Sequence, residues 1–597
     1  MKAFLHSFFF LFIISLCSFL TLNNLQALDS YTVRVEGDID PDLMQLLESA
    51  SQLILLRESP PATPTGLRAR AEADIDNFLK ALHSQAYFNA KVTLDYNFEQ
   101  SPPTVFVIVD SGPVYPLAAF EILKAPDCSG SQFPYETIEL CELGIEIGSP
   151  ALPKNILVAE ESLIHLLEAW GYPLATIKKR EVLADQTEQD VLVALYVDSG
   201  PLAYFGPTQI YGKGCVRQSF FEKKIAWSAG QAYDPYFVER TQMALEASGL
   251  FSSIAIRHAE ETDCEGILPM EIEVVEGKHR SVGWGVTYNT ERGPGVTAEW
   301  ENRNKYGSGE KLSADIDLWR EAQTAHLAYI IPDYQCVGQD WLWLAEFQHE
   351  KTRGYTDIFF SLSSIIERQL NPNLRISYGS TYKWLHDLRS DTNGIYNLFK
   401  IPLAMRWSNA NSVLDPTRGR TINLKITPTA ELLGRQFGYC TATLVTSSYY
   451  PLSHSEQWVL ATKLMLGSIF GSGRRTIPAS ERFYEGSENT LRGYHYQTVS
   501  PLNAHNKPIG GRSMFIYTAE MRVRATETLG WVLFSDIGNV YAATFPQLDH
   551  KLLKSVGFGL RYHTPVGPLR FDFAVPLDRR RHLDPRFQVY ISIGQAF

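Results

Sequence analysis

The sequence predicts an α+β repeat array followed by an all-β, sixteen-stranded antiparallel transmembrane barrel. Three observations predict it. A strand that ends in an acidic residue and a glycine recurs three times in the first half. From Arg280 onward the apolar pattern changes from helical spacing to strict alternation. After the N-terminal segment no continuous apolar run reaches about 18 residues, so any membrane crossing falls to strands rather than helices.

The chain has 597 residues, too many for one ordinary core. Charged residues are 20% and hydrophobic residues 45%, which excludes a disordered polymer. Aromatics reach 12%, a richness found in barrels with aromatic girdles. The formal net charge of -12 argues against a nucleic-acid partner, which would favour a basic face.

Residues 1–27 have one Lys, a run of Phe, Leu and Ile, and a polar stretch ending in Ala27. This is the order of a secretory signal peptide. A retained membrane anchor is the alternative, and the Ala-ended tail favours cleavage.

The repeated strands are TVFVIVDSGPVY (104–115), VLVALYVDSGPLAYF (191–205) and MEIEVVEGKHRSV (270–282). Their glycines, Gly112, Gly200 and Gly277, stand 88 and 77 residues apart. A period of this size marks an array of small domains. Each interval opens with a short strand: YTVRVEG (31–37), LAAFEIL (117–123) or YFGPTQIYG (204–212). Two helical stretches follow. The second has apolar residues at helical spacing, such as Ile156, Leu163, Leu166 and Leu167. Gly171 and Gly249 suit helix C-termini because glycine tolerates positive φ. Two strands close each unit, giving the order β-α-α-β-β.

From Arg280 the strands alternate. In KLSADIDLW (311–319), Leu312, Ala314, Ile316 and Leu318 share one face, and Ser313, Asp315 and Asp317 the other. TINLKIT (421–427) and LRISYGSTYKW (374–384) repeat the pattern. The charged faces must meet water, which predicts apolar-out, wet-inside barrel strands rather than a sandwich. Residues 280–597 number 318. At roughly 20 residues per strand and connection they make about sixteen strands. The chain ends in RFQVYISIGQAF, with Phe587, Val589, Ile591, Ile593 and Phe597 predicted on one face.

The β-α-α-β-β units, with an aromatic after the helix stop and a VDSGP strand end, resemble POTRA domains. Their expected bounds are 29–113, 114–202 and 203–278, with the barrel at 280–597. With Leu491-Arg492-Gly493-Tyr494, the chain resembles the outer-membrane assembly and translocation superfamily that includes BamA and two-partner secretion transporters. Its three POTRA-like units are most similar to the TamA branch, the outer-membrane subunits of translocation and assembly modules. LDPTRGRTINL (414–424) is similar to the family's Pro-x-x-Gly turn before a strand. LFSDIGNVY (533–541) matches its strand motif at Phe534, Asp536 and Gly538, and GFGLRYHTPVGPLRFDFAVPL (557–577) its closing hairpin.

The resemblance implies a non-enzymatic assembly factor in the bacterial outer membrane, with its POTRA domains in the periplasm. Its partners would be unfolded client outer-membrane proteins such as autotransporters, a TamB-like inner-membrane-anchored periplasmic protein, and outer-membrane lipid. No cofactor or metal is implied. A two-partner secretion transporter, exporting one exoprotein through its lumen, is the alternative. The resemblance places Leu491, Arg492, Gly493 and Tyr494 at the tip of a loop folded into the lumen. There the Arg492 fork would hold carboxylates. Family precedent points to Asp536, with Glu520 one strand earlier and Asp572 a further inward candidate. This cluster either gates the barrel or stabilises it. A lateral seam would join the strand bearing Gly283 and Gly285 to the last strand and Phe597. The two glycines either loosen that seam or relieve crowding in the wall.

Beyond Cys17 of the signal, six cysteines remain, an even number in an exported chain. Pairing within segments gives Cys128–Cys141, Cys215–Cys264 and Cys336–Cys440. Free thiols fit the last pair equally well.

Overall fold

The computed structural model describes residues 30–100, 102–126, 137–289, 293–388, 390–434, 436–564, 567–593, 595 and 597. The signal segment 1–27 and Cys128 lie outside these residues. The chain divides into two compact units. One holds the residues up to Gln209 with Trp227–Glu239 and Arg257–Glu271; the other holds Ile210–Ala226, Arg240–Ile256 and Ile272–Phe597.

The first unit contains two small sheets of one design. In the first, the central strand Thr104–Asp110 lies between Thr32–Glu36, to which it is parallel, and Lys91–Asn97, to which it is antiparallel. In the second, Asp190–Asp198 lies between Leu117–Lys124 and Thr176–Asp185 with the same senses. Helices cover one face because the central strands bury alternate residues. Leu67, Ala71, Phe78 and Leu82 of the helix Pro64–Ser84 pack on Val105, Val107 and Val109. Ile156, Ala159, Leu163 and Leu167 of Pro153–Ala169 pack on Val191, Val193, Leu195 and Val197. The first helix of the first sheet, Pro41–Ala50, starts where the Asp40 side chain accepts from the Leu43 N–H at 2.8 Å. In the second sheet the described residues give only a 3₁₀ turn, Leu140–Leu143, where the sequence predicts a first helix. Gly144, at φ +70°, ends that turn. The recurrent glycine has a backbone cause at two of its three positions: Gly112 and Gly200 adopt φ +65° and +64°, a region that side chains resist. A third sheet of the same order, Tyr204–Tyr211, Ile267–Glu276 and Phe251–His258, has its residues shared between the two units.

Among the described residues of the second unit, seventeen strand segments run antiparallel from Arg280–Asn289 to Gln588–Ile593. Segments Gly394–Lys400 and Leu403–Ser408 both pair with Leu374–Asp387 on one side and Gly419–Glu431 on the other. They are one strand broken at Pro402, so the seventeen segments fill sixteen strand positions. Alternation is inverted relative to a soluble protein. Ile316 and Leu318 point outward and are exposed, as do Val282, Trp284 and Val286 of the first strand, where Trp284 is 83% exposed. The inward face carries Ser361, Ser363, Thr429, Glu520, Arg522 and Asp536, all buried. Such a sheet is stable only with hydrocarbon outside and water or polar groups inside. No helix of the described residues is long and apolar enough to cross a membrane, which says nothing of strands.

The structure corrects two cysteine pairings. Among the described residues, Cys141, Cys215, Cys264, Cys336 and Cys440 are free. Cys336 sits in the turn between Ala322–Ile331 and Gln339–Lys351. Cys440 sits near the start of Gly438–Pro451, at the opposite rim of the sheet. Cys215 follows Tyr204–Tyr211 and its N–H donates to Glu276, the last residue of Ile267–Glu276, whereas Cys264 precedes the start of that strand. A strand of ten residues spans roughly 30 Å, far beyond the reach of a disulfide. Cys128–Cys141 involves a residue outside those described.

Candidate functional site

The connection between Trp458–Gly471 and Ser513–Arg524 folds back onto the polar face of the sheet. Its tip is Leu491-Arg492-Gly493-Tyr494. Leu491 and Tyr494 are fully buried and pack with Val499, Met514, Ile516, Val540 and Leu553. They seat the tip, and the neighbouring polar atoms orient it. The Tyr494 hydroxyl donates to the Lys554 carbonyl at 2.8 Å, and the Gly493 N–H donates to the Tyr590 hydroxyl at 2.9 Å. Gly493 adopts φ +90°, and a Cβ there would lie 3.1 Å from the Pro576 nitrogen. The site therefore demands glycine.

Arg492 is 1% exposed and meets three carboxylates that are 0% exposed. Its Nε and Nη2 donate to the two oxygens of Asp536 at 2.9 and 2.8 Å, a bidentate fork. Its backbone N–H reaches Asp536 Oδ2 at 3.0 Å. Nη1 donates to Glu520 Oε1 at 2.7 Å and to Asp572 Oδ2 at 3.2 Å. The guanidinium carbon stands 3.5 Å from the centre of the Phe534 ring, a stacked cation–π contact. Burial pulls the guanidinium pKa down, but the charges of Asp536 and Glu520 outweigh it and hold the group firmly protonated.

Three further arginines complete the cluster, and the sequence reading did not single them out. Arg522 Nε donates to Glu520 Oε2 at 2.9 Å. Arg561 Nη1 donates to Asp572 Oδ1 at 2.5 Å. Arg570 Nε stands 3.5 Å from Asp572, while its Nη2 is 3.6 Å from Glu488 of the loop. Four guanidiniums thus face four carboxylates and the charge balances, as burial requires. The missed signal was period two: Arg522 follows Glu520 by two residues and Arg570 precedes Asp572 by two, so each pair shares the inward face.

The seam residues divide. Gly283 and Gly285 lie on the first strand, which pairs along its whole length with Gly293–Asn302. A Cβ at Gly283 would collide with the Glu299 side chain, and one at Gly285 would lie 3.0 Å from Thr297 Oγ1. Both glycines make room for inward side chains of the second strand. Phe597 is not on the outward face with Phe587 and Ile591, which are exposed. Its ring lies 6.3 Å from that of Tyr449, with Lys463 and Arg522 at 5.4 and 5.0 Å, and its carbonyl accepts from Arg522 at 3.0 Å. Parity along a strand holds only while the ladder continues, and among the described residues the ladder ends at Ile593. The first and last strands approach one another, yet among the described residues no ladder joins them.

The polar-lined sheet with an arginine loop on its inner face matches a known family model. Residues 304–597 match the Omp85 superfamily domain. The chain is 24% identical over 458 residues to the outer membrane protein assembly factor BamA of Nitratidesulfovibrio vulgaris strain Hildenborough, covering 72% of this chain and 55% of the relative. It is 21% identical over 494 residues to BamA of Neisseria meningitidis serogroup B strain MC58, covering 72% and 60%. The chain thus spans somewhat over half the length of these curated relatives. The crystal structure of BamA from Haemophilus ducreyi lacking POTRA domains 1-3 superposes with a TM-score of 0.67 at 17% identity, covering 79% of this chain and 99% of that one. That likeness shows the fold alone: small POTRA-like units followed by a large antiparallel sheet.

Proposed function

We propose that this chain is an outer-membrane assembly factor that inserts or translocates client β-barrel proteins through a lateral seam. The observation that carries it is the seam itself. The first strand pairs with the second over ten residues, yet among the described residues the six-residue last strand, though it approaches the first, has no ladder to it. An open edge of N–H and C=O groups accepts an incoming strand by β-augmentation. The Arg492 cluster lies on the four strands next to that edge, so loop and seam share one wall. In this reading the units 29–113, 114–202 and 203–278 are periplasmic POTRA domains, 280–597 is the barrel in the outer membrane, and Leu491–Tyr494 with Glu520, Asp536 and Asp572 is the latch of the lumenal loop.

The finer reading is a TamA-type subunit acting on autotransporters with a TamB-like periplasmic partner. It draws its support from the resemblance of the three small units. Engineered cysteines joining Arg280–Asn289 to Gln588–Ile593 test the seam. Oxidised protein in proteoliposomes is expected to lose client insertion and to regain it on reduction. Insertion at the same rate in both states refutes the reading.

A further inference from the structure

The loop that carries Arg492 touches the wall at a second place, on strands far from the first. Its short 3₁₀ turn, Ala479–Glu481, points a carboxylate between two lysines. Lys383 Nζ donates to Glu481 Oε1 at 2.9 Å, and Lys400 Nζ donates to Oε2 at 2.6 Å. The Tyr439 hydroxyl donates to Oε2 at 3.1 Å. Those three residues belong to the strands Leu374–Asp387, Gly394–Lys400 and Gly438–Pro451. The next loop residue, Arg482, is buried; its Nη1 meets Asp391 at 2.7 Å and its Nε and Nη2 meet the Ile477 carbonyl at 3.0 and 2.8 Å. Arg474 meets the other oxygen of Asp391 at 2.7 Å. Burial pushes the Glu481 carboxyl up, but the charges of Lys383 and Lys400 outweigh it and hold the group well below the usual carboxylate range.

We infer that Glu481 is a positioning residue for the Arg492 latch: the loop is tied at both ends, and Glu481 is the anchor on the far wall. The inference rests on the proposed role of the loop but not on the seam. Glu481 and Arg492 are eleven residues apart, and neither shares a wall partner with the other. The two anchors hold one segment across the lumen, which fixes where the tip can reach. Without Glu481, Lys383 and Lys400 face each other without a shared carboxylate, and the first half of the loop loses its charged contacts to those strands. Charge-assisted bonds of this kind shift a local opening equilibrium by about 10- to 100-fold.

The test is hydrogen exchange of the full chain in detergent micelles, comparing wild type, Glu481→Gln, Lys383→Met and Arg492→Ala. Glu481→Gln is expected to raise exchange over residues 474–486 by about 10- to 100-fold, with a smaller rise at 491–494. Lys383→Met, which leaves the Lys400 partner in place, is expected to give an intermediate rise, and Glu481→Asp to restore most of the protection. Arg492→Ala is expected to free 491–499 while 479–482 stays protected. Unchanged exchange at 474–486 in Glu481→Gln overturns the inference. So does release of the whole loop as one block in Glu481→Gln and Arg492→Ala alike, because one anchor would then suffice. If Glu481→Gln does not fold, the Lys383→Met and Glu481→Asp pair decides by the same readout. Exchange is read without any client, so loss of this inference leaves the assembly function to stand or fall on the seam experiment.

Discussion

Arg492→Ala removes the centre of the buried cluster, and its cost can be worked from the contacts. Asp536 receives three of the donors of Arg492, one of them from the backbone; among the described residues Arg492 alone forms an ion pair with it, and the charge of Lys463 acts on it from farther away. Glu520 keeps Arg522, and Asp572 keeps Arg561 and Arg570. The substitution therefore orphans one fully buried carboxylate and leaves two compensated. Breaking a buried pair on one side costs about 3–5 kcal/mol, which is about 10²–10⁴ in the docking equilibrium of the loop. Asp536→Asn alone is expected to cost nearly as much, because it leaves the arginine one carboxylate short. The double variant Arg492→Ala with Asp536→Asn should cost at least about 2 kcal/mol less than the sum of the two, since neither charge is then stranded. Arg492→Lys should recover less than half, because an ammonium cannot make the fork. The assay is denaturant unfolding in micelles with protease cleavage in the loop as the local probe, alongside client insertion in proteoliposomes. Additive single effects, or an alanine variant with wild-type protection and insertion, would refute the assigned pairing.

Three other perturbations follow from the same geometry. Gly493→Ala forces a side chain into a positive-φ site beside Pro576 and should weaken loop docking by about 1–3 kcal/mol, read as faster protease cleavage with no change in the POTRA-like units. Burial pushes the Glu485 carboxyl up to about 7, against a Thr490 hydrogen bond and the charge of Lys463. Its folded-state pKa lies above the unfolded one, so docking is strongest below about pH 4.5 and weakens as pH rises through about 7. Glu485→Gln should abolish that slope in a protease-protection profile from pH 5 to 8, and an unchanged slope would place the titration elsewhere. Leu362 points outward between Ser361 and Ser363 in the middle of Thr356–Asn371. Leu362→Arg should cost about 2–4 kcal/mol in lipid, and a neutral outcome on refolding into vesicles would put that face in water.

Much of this was readable from residue order alone. The strand Lys311–Trp319 has the bounds that alternation predicts, and the recurrent VDSGP strand ends mark the central strands of two small sheets. Alternation is legible because a wall with lipid on one side leaves no freedom in which residues face out. The arginine and its three carboxylates were named, but by resemblance, since nothing local joins residues 28 to 80 positions apart. Arg522 and Arg570 could have been found by parity with Glu520 and Asp572. Phe597 was misplaced because parity was carried past the end of the ladder. Glu481 left no signal: one glutamate in a 3₁₀ turn gains meaning only when Lys383 and Lys400 are brought to it by strand pairing. The Cys215–Cys264 pairing failed because closeness in sequence says little about opposite ends of a long strand, and for Cys336 and Cys440 the free thiols of the alternative reading are what the structure holds.

The break at Pro402 has a mechanical consequence for the wall. Proline has no N–H to give a ladder, and a second proline, Pro428, stands on the adjoining strand, where its carbonyl takes the Ile401 N–H at 3.0 Å. The Pro402 carbonyl still accepts the Gly379 N–H at 3.2 Å, so the wall here is joined but short of donors, well away from the seam. Lys400 is the last residue before the gap, and Glu481 binds it together with Lys383 of the neighbouring strand and Tyr439 beyond. A loop carboxylate therefore acts as a splint across a break that the main chain bridges without a donor from either proline. Amides beside Pro402 should consequently loosen when the loop is cut or displaced, so an event at the tip of a lumenal segment is felt as a local softening on the far side of the sheet.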